Sequence, residues 1–381
     1  MEEKNLTKTI REKIIAHITD HGAITMAEYM EFCLSGENGY YKKQKPFGIK
    51  GDFITAPEIS QLFGEMLAIW LIHTYQAFIK DKEFILCEMG PGRGTLMGDI
   101  LRCFKKVAPK ILEKAEILLI ETSPKLQKEQ KHHLSQFSHV IQWSKTLKNL
   151  PNKPLLLVAN ELLDALPVRQ FTRFGKHVFE HKITYNKLRD QLEKKEIKMH
   201  NQEQVLFRKS LASYALVPFL QEESQLPIIF EISLPRMQLI KDIAEHINTY
   251  HGAALFIDYG ALQLSYGDTI QAVRNHGYSS IFEKPGRDDI STHVDFHTLG
   301  LVTKKANCSA YGMTQGTFLQ ALGLLERADR LSINKAESIK EKIQQDVFRL
   351  IAPEQMGTLF KTFAIVPHSY YPFPYSEKDR L

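Results

Sequence analysis

Cysteine is scarce in this chain: there are only Cys33, Cys87, Cys103 and Cys308. No two form a C-x-x-C pair and their spacing matches no zinc pattern. Reduced thiols in a cytosol-like compartment are expected. Long apolar runs are also missing. No stretch approaches the roughly 18 apolar residues of a bilayer span, so no transmembrane helix or membrane insertion is expected. The opening segment "MEEKNLTKTIREKIIAHI" carries early acids and no apolar centre, unlike a secretory signal. It also lacks the Arg-rich, acid-poor character of a transit peptide. A soluble cytoplasmic protein is the resulting expectation. Charge of one sign is not in large excess either. A net +5 over 381 residues permits an anionic partner but is not the clustered basic face of a nucleic-acid binder. There is no internal repeat.

What is present is an ordinary globular composition, with 43% hydrophobic and 24% charged residues, enough for a sizeable core. Leu6, Ile10, Ile14, Ile15 and Ile18 share one helical face, and "HGAITMAEYMEFCLS" suggests a turn and a second helix. A Gly-, Lys- and Tyr-rich loop follows, with a "KKQK" run at 42–45 that reads as solvated surface or a docking point. A long helix is predicted from "TAPEISQLFGEMLAIWLIHTYQAFI", opened by a T-x-x-E capping box of Thr55 and Glu58. Ile59, Leu62, Phe63, Met66, Leu67, Trp70 and Leu71 give it a wide apolar stripe.

Strands and helices then alternate: "FILCEMG", "GTLMGDILRCFKKV", "AEILLIETS", "PKLQKEQKHHLSQF", "HVIQW", "PLLLVAN". This rhythm predicts a parallel, doubly wound α/β sheet. It breaks after Pro167, where β-prone and charged segments predict an antiparallel insertion and a polar hairpin. "IIFEIS", "GAALFIDYG" and "GTLFKTFAIV" are read as later core strands. The expected division is an N-terminal helical region at 1–50, a core at 51–170, an inserted β-containing subdomain at 171–226, and the second part of the core with accessory elements at 227–381.

The chemistry concentrates at strand ends. "FILCEMGPGRGTLMGDIL" has the strand, glycine turn and helix of a nucleotide site, with the pattern Glu88-x-Gly90-x-Gly92-x-Gly94. Glycine permits tight turning and close backbone approach, and the helix start beyond favours an anionic group. A dinucleotide fingerprint needs glycine where Thr95 stands, and no G-K-[ST] is present, so a Walker loop is excluded. An acid two residues before G-x-G-x-G fits S-adenosylmethionine (SAM), with Glu121 at the next strand end placed to accept ribose hydroxyls. Arg93 could meet the SAM carboxylate or face solvent.

Taken together, "GDFITAPEISQLFGEMLAIWL", "EMGPGRGTLMGDILR", "IETSPKLQKEQ", "ANELLDALPVRQF", "FIDYG", "GDTIQAVRNHGY", "HVDF", "TQGTFLQALG" and "MGTLFK", in this order, closely resemble the MidA family of SAM-dependent methyltransferases. The resemblance spans roughly residues 10 to 366. It implies a class I, Rossmann-like methyltransferase core and SAM as cofactor. It also implies protein arginine methylation during assembly of respiratory complex I, on a peripheral-arm subunit for the mitochondrial members. The chain looks like a bacterial member. "DISTHVDF" departs mildly from the family's pattern.

Asn160, Glu161 and Asp164, at the end of the apolar run "LLLVAN", are the candidate acceptor-binding and catalytic residues. Ligands of open α/β sheets bind beyond the carboxyl ends of strands, and a carboxylate can grip a planar guanidinium in two-point fashion. Glu161 is the expected clamp, Asn160 orients, and Asp164 either supports them or caps a helix starting at Ala165. Asp52 and Thr55 are candidates for closing over the cofactor, with a helix cap the plainer reading of Thr55. Asp258 and Tyr259 could line the acceptor pocket or form an Asx-turn. His293 and Asp295 are expected to be a structural pair. His132 and His133 sit on a polar helix face, and no metal site is expected. Alternatives to protein arginine methylation are methylation of a small molecule or another residue type, or SAM-dependent assembly binding with little turnover.

Overall fold

The computed structural model describes residues 8–36, 39–40, 55–137, 140–175, 177–212, 226–274, 277–368 and 370–381. The chain divides into two compact units. One comprises Met1–Phe53, Ala165–Met237 and Ser265–His293; the other comprises Ile54–Asp164, Gln238–Leu264 and Val294–Leu381.

The second unit holds a mixed eight-stranded sheet. Its strands are β1 (Phe84–Met89), β2 (Ala115–Ile120), β3 (Ile141–Ser144), β4 (Leu155–Asn160), β5 (Gly252–Ala261), β6 (Val294–Asp295), β7 (Cys308–Thr314) and β8 (Phe360–Pro367). The spatial order is β7-β8-β5-β4-β1-β2-β3, with β6 paired to the far end of β5. Strands β1 to β5 are parallel to one another. Phe84–Cys87 of β1 and Leu155–Ala159 of β4 are buried throughout, as expected for strands covered on both faces. The chain starts at β1, steps outward to β3 and returns to β4 on the other side of β1. That reversal opens a crevice at the carboxyl ends of β1 and β4, the place where open α/β sheets bind ligands.

Two features were not read from sequence. The last strand, β8, runs antiparallel between β5 and β7, and β7, "CSAYGMT", was not recognised as a strand. Its side chains are buried almost without alternation, so period two is absent from it.

The predicted long helix at "TAPEIS" is two helices. Ala56–Ile59 forms a single turn. Ser60 is extended and starts a second helix, Gln61–Thr74, its hydroxyl accepting from the Leu62 N–H at 3.4 Å. Thr55 occupies the cap position of the first turn, but its side chain makes no cap hydrogen bond, so the expected Thr55–Glu58 capping box does not form. Glu58 turns instead to Arg93 and the Thr95 hydroxyl, described below. Gln61–Thr74 continues into a wider turn at Tyr75–Ile79. The combined stretch is long and apolar enough to cross a bilayer by length and composition alone. Leu62, Phe63, Leu67, Trp70 and Leu71 are nevertheless fully buried in this unit's core, which makes it a central core helix.

That helix packs tightly on Thr95–Val107, whose Leu96, Met97, Ile100, Leu101 and Phe104 face the core. A methyl group at Gly64 would stand 2.5 Å from Asp99 Cβ, a backbone-anchored atom that cannot swing away. Gly64→Ala is therefore expected to destabilise the protein by about 1–3 kcal/mol through overpacking, outweighing alanine's roughly 1 kcal/mol helix advantage. The urea midpoint checks this; a stabilised variant would contradict the packing described.

The first unit joins an N-terminal strand to the antiparallel insertion. Ile24–Thr25, His177–Asn186, Arg169–Phe174 and Ile228–Ile232 are neighbours in that order, and Gln191–Lys198 also pairs with His177–Asn186. All these pairings are antiparallel. Ile228–Ile232, expected among the core strands, instead pairs with Arg169–Phe174. The helices Ile10–His21 and Met26–Leu34 each carry a full capping box, Thr9 with Glu12 and Thr25 with Glu28. Ile14, Tyr29, Met30, Val168, Ile183 and Ile290 share this unit's core.

Candidate active site

The crevice at the ends of β1 and β4 is lined from both sides within the second unit. On the first side, the chain leaves β1 through Gly90, Gly92 and Gly94, with φ of +65°, +51° and +83°. Side chains are strained in this left-handed region, so the spacing is a backbone requirement as well as a binding motif. The turn ends at Gly94, the cap residue of the Thr95–Val107 helix, so the first N–H groups of that helix lie at this end of β1.

Glu88 lies just inside this turn, only 3% exposed. Met97 donates a backbone hydrogen bond to its carboxylate, while Oε2 has no partner. Burial pushes the Glu88 carboxyl up to about 8, with Asp99 and Glu121 adding to the rise. Glu121 follows the last residue of β2. It accepts from the Ser123 N–H at 2.7 Å and from Gln130 Nε2 at 3.2 Å, and burial raises its pKa against these bonds.

Sequence reasoning missed Gln130. It is fully buried, donates to the Gly92 carbonyl at 2.8 Å and to Glu121, and accepts from Trp143 Nε1 at 2.9 Å. One amide thus ties the glycine turn to the acid at the next strand end. The available signal was a glutamine one helical turn beyond Leu126 on that helix's buried side.

On the other side, β4 ends at Asn160, and Glu161 follows in a left-handed conformation with φ of +49°. This is costly for a branched-out side chain and marks functional sites often enough to be noted. The Glu161 N–H donates to the Ile257 carbonyl at 2.8 Å, which holds the residue in that shape. Its Oε1 accepts from Asn160 Nδ2 at 3.0 Å and from the Ala56 N–H at 3.4 Å. Asn160 Oδ1 is buried without a partner. Burial, with help from Asp164, pushes the Glu161 carboxyl up to about 8, while Asn160, Ala56 and Arg349 pull it down.

Asp164 and Asp258 stabilise this segment from behind. Asp258 Oδ2 accepts from the Leu163 and Asp164 N–H groups at 2.8 and 3.1 Å, and its Oδ1 accepts from the Tyr259 N–H at 3.0 Å. Tyr259 donates its hydroxyl to Asp164 Oδ2 at 2.7 Å. No helix begins at Ala165; Asp164 serves Tyr259 instead. The Asp258 carboxylate braces the 161–164 turn. Asp295 starts the Phe296–Lys305 helix, accepting from the Thr298 N–H at 3.1 Å and its hydroxyl at 2.6 Å. Arg93 is engaged by Glu129 at 3.1 Å and Glu58 at 3.3 Å. Thr55 is buried beside the Ala56 contact. Asp52 and the "KKQK" run lie outside the described residues.

Residues 66–314 match the family described as putative S-adenosyl-L-methionine-dependent methyltransferases. The chain belongs to that family. It is 32% identical to the protein arginine methyltransferase NDUFAF7 of Danio rerio, a mitochondrial protein, over 95% of this chain and 87% of that one. The human counterpart is 30% identical over 96% of this chain and 85% of its own length. A likely methyl transferase from Burkholderia thailandensis, crystallised with S-adenosyl-homocysteine, shares the fold. Its TM-score is 0.79 at 22% identity, covering 98% of this chain and 95% of that one.

The residues of this methyltransferase fit its cofactor. SAM offers an ammonium and two ribose hydroxyls, all hydrogen-bond donors, and needs a tight backbone turn along its length. The crevice supplies the turn, the orphaned Glu88 oxygen and the Glu121 carboxylate. Asn160 Oδ1 is a further buried acceptor with nothing to accept from, on the Glu161 side.

Proposed function

We propose that this methyltransferase is a protein arginine N-methyltransferase, acting on a peripheral-arm subunit of respiratory complex I during assembly. The observation that carries the reading is the pair at the end of β4. Two adjacent acceptor side chains, Asn160 and Glu161, meet where the sheet opens, and Asn160 Oδ1 is buried and unpaired. The unpaired Asn160 oxygen beside the Glu161 carboxylate offers acceptors to a multi-donor cation, and a guanidinium brings five donors in a planar fork. The names of the relatives support arginine over other acceptors.

In this reading Glu88, Gly90, Gly92, Gly94 and Glu121 hold the cofactor, with Thr55 closing over it. When bound, SAM supplies an electrophilic methyl group on a sulfonium. Glu161 would grip the guanidinium, orient one nitrogen toward the cofactor side of the crevice and take the proton that this nitrogen must lose on methylation. A carboxyl already pushed toward 8 suits the last step, since a general base works best near ambient pH. Asn160 orients the fork. Asp164, Tyr259 and Asp258 hold the turn that carries Glu161. Catalysis then rests on positioning and on charge placed in advance.

The test is single-turnover labelling with tritiated SAM against purified complex I subunits and a small-molecule extract. Hydrolysis of the labelled band should release methylated arginine. Label confined to small molecules, or to another residue type, would replace this reading. Stable subunit binding without label would favour an assembly-binding role.

A further inference from the structure

The single turn Ala56–Ile59 contacts both halves of the site. Glu58 Oε1 accepts from the Thr95 hydroxyl at 2.6 Å and its Oε2 pairs with Arg93 at 3.3 Å. Thr95 opens the helix after the glycine turn, and Arg93 lies inside that turn. Two residues back along the same short turn, the Ala56 N–H meets Glu161 Oε1 at 3.4 Å. Arg93 is held further by Glu129, at 3.1 Å. The cofactor turn, its helix start and the acceptor carboxylate are therefore linked through four residues. Pro57 stands between Ala56 and Glu58 and fixes one backbone angle of this short turn.

Nothing in the capping role first expected of Glu58 requires these partners. A cap would bind the Thr55 N–H, and the carboxylate instead points away to the glycine turn. Its side chain is 17% exposed, so the pair is shielded enough to fix geometry.

We propose that Glu58 is a positioning residue, and that the Ala56–Ile59 turn couples the cofactor loop to the acceptor carboxylate. This rests on the assignment of Glu161 to the acceptor. The coupling means that a well-ordered glycine turn, through Glu58, sets the Ala56 N–H against Glu161. An acceptor then meets a correctly aimed carboxylate only when the cofactor side is in order.

The comparison is Glu58→Gln, Glu58→Ala and a control, Glu65→Gln. Glu65 is equally exposed, at 17%, and pairs with Arg327 on the helix Leu324–Ser332, away from the glycine turn. Glu58→Gln keeps an oxygen for Thr95 and loses the charge facing Arg93; it should weaken SAM binding by about fivefold. Glu58→Ala should weaken it by about 30-fold and, at saturating SAM, lower kcat by about tenfold with the KM for the acceptor raised. Glu65→Gln should leave SAM affinity and kcat within twofold. The full chain is used throughout, with SAM affinity from calorimetry. Calorimetric affinity of Glu58→Ala within twofold of wild type overturns the proposal. So does an unchanged kcat at saturating SAM, or an equal loss in Glu65→Gln, which would mean a general stability effect. Failure of the Glu161 assignment is separate: it shows as normal turnover by Glu161→Gln.

Discussion

Glu161→Gln is expected to lower methyl transfer by about 10²–10³-fold while SAM affinity, measured by calorimetry, stays within about twofold. The amide has the same shape. Its oxygen can still accept from Asn160 and from the Ala56 N–H, so the turn and the cofactor side are preserved. What is lost is the negative charge that grips a guanidinium and the site that takes its proton. A pH signature accompanies the loss. Burial and Asp164 push the Glu161 carboxyl up to about 8, opposed by Asn160, Ala56 and Arg349. Below that value the free enzyme carries mostly the protonated form, which cannot pair with a cationic acceptor. The acceptor's own guanidinium stays charged across the range. kcat/KM for the acceptor should therefore rise about tenfold per pH unit from pH 6 toward 8 and then level off, and Glu161→Gln should be flat. Wild-type-like turnover, or the same pH slope in both enzymes, would remove Glu161 from the mechanism.

The parts of this fold legible in sequence are those that local chemistry determines. "FILCE" and "LLLVA" are continuous apolar runs, and parallel strands covered on both faces must be so. The glycine spacing 90, 92, 94 was legible because each position takes a positive φ, a requirement written directly into residue type. The residues misread are those whose partners come from far along the chain. Glu58 sits three residues after Thr55, which fits a capping box, yet Arg93 and Thr95 outcompete the local N–H. Gln130 looked like part of a polar helix, and its three partners lie on the glycine turn, just after β2 and on β3. Strand direction was hidden for a related reason: "LFKTFAIV" reads alike whether it runs with or against β5. "IIFEIS" has the pattern of a core strand, and its pairing with Arg169–Phe174 depends on which edge was available. Even Asp258, expected at a strand end and found inside β5 with Tyr259, Gly260 and Ala261 still to follow, could not be separated by sequence into a pocket group or a brace. Two backbone N–H groups 95 and 94 residues earlier settle that geometry.

Glu88→Gln is expected to make the protein more stable and a worse methyltransferase. The Glu88 carboxyl is buried, one oxygen has no partner, and burial raises its pKa from 4.5 to about 8. A carboxyl that holds its proton more tightly when folded favours the folded state fully below pH 4.5. That advantage is lost as pH rises from 4.5 through 8, because the unfolded chain gives up its proton to water while burial makes the folded protein hold it, and the loss levels off once the folded carboxyl ionises too. The neutral amide escapes this cost. The variant and wild type should be similar near pH 4.5, and the variant should gain with pH until about 8, reaching on the order of 2–4 kcal/mol. Urea melts at pH 5 and pH 8.5 measure the difference directly. The opposite sign is expected for binding. An ammonium placed against an ionised, buried Glu88 satisfies both charges, and its loss should weaken SAM by about 10–100-fold. SAM should accordingly stabilise wild type more at pH 8.5 than at pH 6.5, with a smaller pH effect in the variant. A Glu88→Gln protein that is less stable at pH 8.5, or that binds SAM as wild type does, would show that the orphaned oxygen is not held in reserve for the cofactor. If both signs hold, the unsatisfied acid at the end of β1 is a stability cost that the fold carries in order to bind its cofactor.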